Sequence, residues 1–364
     1  MRNPLAHRLP DFPWDTLEPA KRKAQAHPGG LVDLSVGTPA DPTPEPIRDA
    51  LTAAADAHGY PTVAGTAEMR SAIVEYLRTR WGAVSIEDAS VLPVIGLKEF
   101  VALLVSQLGF GPGARVALPA LAYPTYAVGA IIAGADWETA DAPDELSAVP
   151  SVVWINSPAN PSGRMLTPDQ LREWVAYCRE HDVILASDEC YGEFGWEAET
   201  VSILHPDISG GDYRNILAAF SLSKRSNLAG YRAGFVAGDP ELIHELTEVR
   251  KHSGFMLPTP VQAAIAVALR DQRDVQVQRE RYLRRRTPLR AALEGVGFRI
   301  EHSEGGLYLW ATRDESCWAS VDWLAERGIL VSPGAFYGAA GANFVRVALT
   351  ATDERIEAAV SRLG

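Results

Sequence analysis

Cysteine is scarce in this sequence: Cys178, Cys190 and Cys317 are the only three in 364 residues. They form no Cys-x-x-Cys pair and leave an odd one over, which argues against a disulfide framework. Long apolar runs are missing too. Runs such as Phe100 to Val105 and Ala127 to Ala135 fall far short of the roughly 20 residues a membrane-crossing helix needs, so no membrane partner is expected. Near the start, Arg2, His7 and Arg8 lie among prolines with no apolar signal core after them, which makes the cytoplasm the expected location. Positive charge is in deficit, with 34 Lys and Arg against 46 Asp and Glu and a net charge of −12. That balance excludes the broad cationic surface of a nucleic-acid binder, and any positive pocket has to be made locally by a few side chains. No Gly-x-Gly-x-x-Gly follows a strand pattern, which removes a dinucleotide-binding dehydrogenase. There is no internal repeat and no low-complexity segment.

What remains is an ordinary globular composition, 47% hydrophobic, in a chain long enough for two domains. Apolar runs at Ser90–Ile95, Arg115–Leu118, Val152–Ile155, Val183–Ser187, Ile216–Phe220 and Ala233–Ala237 read as buried strands. Helical patterns over about 67–81, 97–108, 127–135 and 168–180 alternate with them; in the first, Met69, Ile73, Tyr76 and Leu77 mark a core face. Thr167-Pro-Asp-Gln170 is a capping box that starts the last of these helices. Such alternation predicts an α/β fold with a mostly parallel sheet between helices, and ligands at the carboxyl ends of its strands. Residues 1–36 read as a proline-spaced arm, 37–275 as the large domain and 276–364 as a smaller α+β domain. The arginine-rich helix over 273–294 (Arg279, Arg281, Arg284, Arg285, Arg286) is expected to be a solvated face.

One stretch concentrates reactive chemistry. Ala219 to Gly238 runs from one buried strand into another, with Ser221, Ser223, Lys224 and Arg232 between them and Gly230 and Gly234 permitting tight turns. A lysine fixed at the end of a buried strand can form a Schiff base once its pKa is lowered, while the serines and the arginine hold a phosphate. Gly96, at another strand-to-helix turn, would offer the backbone amides of Leu97 and Lys98 to the same anion.

Together with Gly37, Tyr60, Tyr123, Asn160-Pro161-x-Gly163, Asp188-x-x-Tyr191 and Arg346, these residues resemble the class I/II aminotransferases of PLP (pyridoxal 5′-phosphate) fold type I. The likeness runs over nearly the whole chain in the right order. It implies a seven-stranded large domain, the cofactor PLP, amino-acid and 2-oxo-acid substrates, and a homodimer with shared active sites. By the same likeness Lys224 is the aldehyde-binding lysine and proton shuttle, and Asp188 pairs with the ring nitrogen. Asn160 and Tyr191 bond the ring's phenolic oxygen and Tyr123 stacks on the ring. Gly96, Leu97, Lys98, Ser221, Ser223 and Arg232 hold the phosphate, with Tyr60 arriving from the neighbouring subunit. Arg346, Asn160 and Gly37 take the substrate α-carboxylate. Cys190 reads as packing.

The sequence looks most like the bacterial N-succinyl-diaminopimelate aminotransferases, partly through Leu9 to Leu17 and Tyr123-Pro-Thr-Tyr126. That implies transfer between N-succinyl-LL-2,6-diaminopimelate and 2-oxoglutarate in lysine biosynthesis. Lys98, Arg164, Arg225 and Lys251 are the candidate partners for its distal carboxylates. An aspartate-type or broad-specificity aminotransferase and a PLP-dependent β-lyase are the alternatives. A fused transcriptional regulator is not expected, since only about 30 proline-rich residues precede the fold.

Overall fold

The computed structural model describes residues 4–364. It contains thirteen strands: β1 (Val32–Asp33), β2 (Val91–Ile95), β3 (Arg115–Leu118), β4 (Asp136–Thr139), β5 (Val152–Asn156), β6 (Ile184–Asp188), β7 (Ile216–Ser221), β8 (Ala233–Gly238), β9 (Arg299–Glu301), β10 (Tyr308–Thr312), β11 (Ile329–Leu330), β12 (Ser332–Pro333) and β13 (Phe344–Ala348). Seven of them form one sheet in the order β2-β8-β7-β6-β5-β3-β4. Only β8 runs against its neighbours, and the other pairs are parallel, so the expected α/β sheet is present.

The strands read as unbroken apolar runs because both faces are covered. Along β7 the alternation is direct: Ile216, Ala218 and Phe220 enter one core, while Leu217 and Ala219 enter the other. In β5, Val153 and Ile155 face the first core, and Val152 and Trp154 the second. Met69, Ile73, Tyr76 and Leu77 are buried on the inner face of the helix Ala67–Trp81, as their spacing predicts. Thr167 starts the helix Pro168–Glu180 with a reciprocal cap: the Gln170 amide donates to Thr167 Oγ1 at 3.2 Å and the Thr167 amide to Gln170 Oε1 at 3.0 Å.

A second, antiparallel sheet has the order β12-β13-β10-β9, and β1 pairs with β11 beside it. Its core unites the late elements with Leu17, Val32 and Leu34 from the first segment and with Tyr191 and Phe194 from the β6 loop. Among the described residues no helix is long and apolar enough to cross a membrane.

Two sequence expectations are corrected and one strand is added. The helix Arg273–Gly295 is not merely a solvated face, for Arg285 and Arg286 are buried. The Arg285 fork donates to Asp41 at 2.6 and 2.7 Å and to Asp353 at 2.5 Å, while Arg286 donates to Glu197 and to the Ser303 carbonyl. The charges are tolerated inside because carboxylate partners 68 to 244 positions away complete them, and no local pattern announces such partners. Strand β4 went unread because Asp-Trp-Glu-Thr has no apolar run; it is an exposed sheet edge. Finally, the helix expected over 127–135 spans Thr125–Ala133 and stops where Gly134 takes a left-handed φ of 78°.

Candidate active site

Strands β2, β5, β6 and β7 all deliver their carboxyl ends to one edge of the large sheet, and a cavity of about 480 Å³ opens there. Its lining includes Gly37, Leu97, Lys98, Tyr123, Asn160, Asp188, Tyr191, Ser221, Ser223, Lys224, Arg232 and Arg346. Residues scattered over more than 300 positions of sequence are therefore one constellation. Gly96 sits just beneath it, and Tyr60 lies outside it, 95% exposed.

At the end of β7, Ser221 caps the four-residue helix Leu222–Arg225 by accepting the Ser223 amide at 3.1 Å. This turn aims Lys224 into the cavity. Its amine is pushed down to about 8, mainly by burial, with Arg346 and Arg232 repelling the charge and the Cys190 thiol partly opposing them. Arg232 occupies a left-handed backbone (φ 56°) directly before β8, and its Nη1 donates to the Ala229 carbonyl at 2.8 Å. The guanidinium lies against Gly96, the residue that precedes the helix Leu97–Gln107. A Cβ on Gly96 would come within 2.2 Å of Arg232 Nη2. Glycine here serves close approach as well as its φ of 71°.

Asp188 ends β6. Its Oδ2 accepts from the Tyr126 hydroxyl at 2.8 Å and its Oδ1 from the Cys190 amide at 3.1 Å. Burial pushes this carboxyl up and the two donors work against the shift. Among the described residues no cation pairs with it. One strand over, the Asn156 amide group donates to the Asp188 carbonyl at 2.8 Å while its Oδ1 accepts from the Asn160 amide at 2.7 Å, so the two strand-end loops are tied together.

From the second sheet comes Arg346 on β13, which is 3% exposed. Its Nη1 donates to Asn160 Oδ1 at 2.9 Å and its Nη2 to the Ser35 carbonyl at 2.7 Å; the guanidinium lies 4.0 Å from the Tyr308 ring centroid. The hydroxyls of Tyr308 and Tyr191 are 2.9 Å apart. Gly37 packs directly on Tyr308, where an added Cβ would fall 2.1 Å from the hydroxyl oxygen.

Of the four cations expected to meet distal carboxylates, only Lys98 lines this cavity. Arg225 turns the other way: it is buried against Glu193 (3.7 Å) and the Tyr76 ring. Arg164 borders a separate cavity behind the Asn156–Asn160 loop, and Lys251 pairs with Glu248 on the helix Pro240–Ser253. Adjacent residues on a short helix point apart, so nearness in sequence to Lys224 says little about Arg225. Sequence reasoning also missed Tyr126, Tyr308, Asn156, Phe12 and Trp14. Two of these left a signal: Tyr126 stands three positions after Tyr123 at the start of a helix, and Asn156 is the polar residue that ends an apolar strand run.

Residues 30–363 match the family model "Aminotransferase class I and II". The chain belongs to that family. It is 56% identical over 356 residues to the 4-dedimethylamino-4-oxo-anhydrotetracycline transaminase OxyQ of Streptomyces rimosus, covering 98% of this chain and 99% of that one. It is 54% identical to a probable aminotransferase, Rv1178, of Mycobacterium tuberculosis, over 100% of this chain and 87% of that one. At 31% it also resembles LL-diaminopimelate aminotransferase 2 of Trichormus variabilis, over 94% and 93% of the two chains. A solved aminotransferase structure from Neisseria meningitidis superposes with a TM-score of 0.87 at 29% identity, covering 100% of this chain and 98% of that one.

Class I/II aminotransferases of this fold depend on PLP, and the residues in place fit that cofactor. A buried carboxylate with two neutral donors and no counter-cation suits a protonated ring nitrogen. Gly96, where a side chain would collide with Arg232, lets that guanidinium lie beside the N-terminus of the helix Leu97–Gln107, so two positive groups meet where a phosphate would bind. An amine with a depressed pKa lines the same cavity.

Proposed function

We propose that this aminotransferase moves an amino group between an amino compound and a carbonyl acceptor, with 2-oxoglutarate or glutamate as one partner and a larger substrate as the other. Lys224, Asp188 and Arg346 lining one cavity is the observation that carries the reading. PLP would be held by Asp188 at its ring nitrogen, by Asn160 and Tyr191 at its phenolic oxygen, and by Tyr123 against its ring. Ser221, Ser223, Arg232 and the Leu97 and Lys98 amides at Gly96 would hold its phosphate. When bound, it supplies a conjugated ring that accepts the electron pair left by the broken Cα–H bond. Arg346 and Asn160 grip the substrate carboxylate with Gly37 beside them, which fixes which Cα bond meets the amine of Lys224. With its pKa pushed down to about 8, that amine takes and returns a proton at Cα. Burial pushes the Tyr191 phenol well up, so it serves as a donor.

For the larger substrate, N-succinyl-LL-2,6-diaminopimelate with 2-oxoglutarate, the lysine-biosynthesis reading, is supported by Lys98 as a cation for a distal carboxylate. A ring ketone of the kind in the name of the Streptomyces rimosus relative is the second reading, favoured by 56% identity over nearly both whole chains. Amino donors, N-succinyl-LL-2,6-diaminopimelate among them, with 2-oxoglutarate, and glutamate with an oxo-anhydrotetracycline, decide between them. Release of ammonia and pyruvate would mark a β-lyase instead, and no amino transfer with any pair would overturn the proposal.

We further take residues 37–275 and 276–364 as the large and small domains, with 1–36, whose first three residues lie outside the described ones, as an arm that joins the small domain through 4–36, in keeping with Leu17, Val32 and Leu34 joining the second core. Tyr60, exposed on its own chain, is proposed to reach the phosphate site of a second copy in a homodimer. Three free cysteines fit a cytoplasmic location.

A further inference from the structure

One wall of the cavity is built by a segment that supplies none of the cofactor or carboxylate residues above. Pro13–Leu17 forms a short 3-10 turn, and Leu17 anchors it in the second core at 3% exposure. The Asp15 amide donates to the Phe12 carbonyl at 3.0 Å, and Pro10 and Pro13 restrict the backbone on either side of Phe12. The turn presents Phe12 and Trp14, which both line the cavity with ring centroids 5.4 Å apart and planes tilted by 33°. Trp14 is backed by Phe336 at 5.5 Å and Tyr337 at 6.4 Å, and Phe336 in turn by Trp318 at 5.9 Å. The aromatic wall is thus held from behind rather than hanging free.

Phe12 is 52% exposed, and the ammonium of Lys98 stands 5.3 Å from its ring centroid. Among the described residues that ammonium makes no ion pair and no hydrogen bond. The other cavity cations are engaged or reserved: Arg346 by Asn160 and Ser35, Arg232 by the Ala229 carbonyl beside Gly96, and Lys224 by the chemistry. This part of the cavity therefore combines two supported aromatic rings with one unpaired positive charge. Rings accept flat or apolar groups of many shapes, and the charge adds a demand for an anion.

We propose that Phe12, Trp14 and Lys98 form a distal subsite that selects the larger substrate by an anionic group carried on a flat or apolar body. The inference rests on the aminotransferase reading above. Its chemistry is common to an open-chain N-succinyl amino acid and to an acidic ring ketone, so both are used as probes. The quantity read is kcat/KM for N-succinyl-LL-2,6-diaminopimelate, or for the oxo-anhydrotetracycline, divided by kcat/KM for L-glutamate. Phe12→Leu keeps an apolar group without the ring and should lower that ratio about fivefold, through KM rather than kcat. Lys98→Met should lower it about fivefold, and Lys98→Arg should restore most of the loss.

Added salt should raise KM for the large substrate in the parent protein and much less in Lys98→Met, a response that a merely structural lysine would not give. Trp14→Phe should preserve the ratio and Trp14→Leu lower it, while circular dichroism and cofactor content report whether each variant folds. The probe that shows the ratio change identifies the substrate family. Ratios that stay at the parent value in all folded variants, with both probes turned over, would overturn the subsite and leave the aminotransferase standing. Absence of turnover of every pair by the parent protein would overturn both.

Discussion

Replacing Lys224 by methionine should stabilise the cofactor-free protein by an amount that depends on pH. Methionine keeps the long apolar stem and removes the charge. In the fold the amine is pushed down to about 8 from its ordinary 10.5, first by burial and then by Arg346 and Arg232. Because the folded value lies below the unfolded one, the unfolded chain binds more protons between about 8 and 10.5, and stability rises with pH across that window. The cost of the buried ammonium is complete below about pH 8, shrinks above it and has gone by 10.5. That gap converts to about 3 kcal/mol. With about 2.1 cal/mol/K of unfolding entropy per residue, a chain of 364 residues should melt about 4 °C higher in the variant at pH 7. The assay is thermal unfolding of both proteins, stripped of cofactor, from pH 7 to 10.5. The curves should converge as the pH rises. Equal melting at pH 7, or an offset that ignores pH, would refute the claim that this amine is held in a desolvating, cation-flanked site.

Three further outcomes follow from the same geometry. Gly96→Ala places a Cβ 2.2 Å from Arg232 Nη2, at a backbone angle (φ 71°, ψ 151°) that costs other residues about 1–3 kcal/mol, so PLP titration should show at least tenfold weaker binding; an unchanged Kd would count against the phosphate cradle. Arg346→Lys cannot bond Asn160 and Ser35 while also presenting a fork, and kcat/KM for L-glutamate should fall about 10- to 100-fold, with a smaller loss removing Arg346 from carboxylate binding. Tyr126→Phe takes one of two donors from Asp188, whose pKa then rises, so the acidic limb of the kcat/KM profile should move to higher pH; a stationary limb would detach that limb from Asp188.

How much of this was legible in the sequence depended on whether the signal was local. Strand ends were readable because a buried parallel strand is an apolar run, and the polar residue that stops it is conspicuous: Asn156 after Val152–Ile155, Asp188 after Ile184–Ser187, Ser221 after Ile216–Phe220. The wrong inferences came where orientation or a distant partner decides. Arg225 follows Lys224 directly, yet a single step along a helix turns it away to Glu193. Arg285 looks like part of a solvated run until Asp41 and Asp353 arrive from both ends of the chain. Phe12 and Trp14 stand in a proline-spaced stretch that carries no period, and only the seat of Trp14 on Phe336 and Tyr337, with Phe12 against Trp14, gives them a role.

The same division separates the parts of the site. Everything proposed to hold the cofactor in this chain comes from the edge of one sheet, where most of these residues follow a parallel strand by a few positions and Arg232 directly precedes the antiparallel β8, and local motifs suffice to find them. The carboxylate site is different in kind. Arg346 comes from the second sheet, its fork is held by Asn160 from the first and by Ser35 from the opening segment, and Gly37 fits only because Tyr308 fills the space a side chain would take. Substrate binding thus requires three separate parts of the chain to be in register, whereas cofactor binding requires one. A change that loosens the second sheet against the first should weaken amino-acid binding before it weakens PLP binding. The buried Arg285–Asp41 pair, which ties the long helix to the segment just after Gly37, is where that separation can be forced.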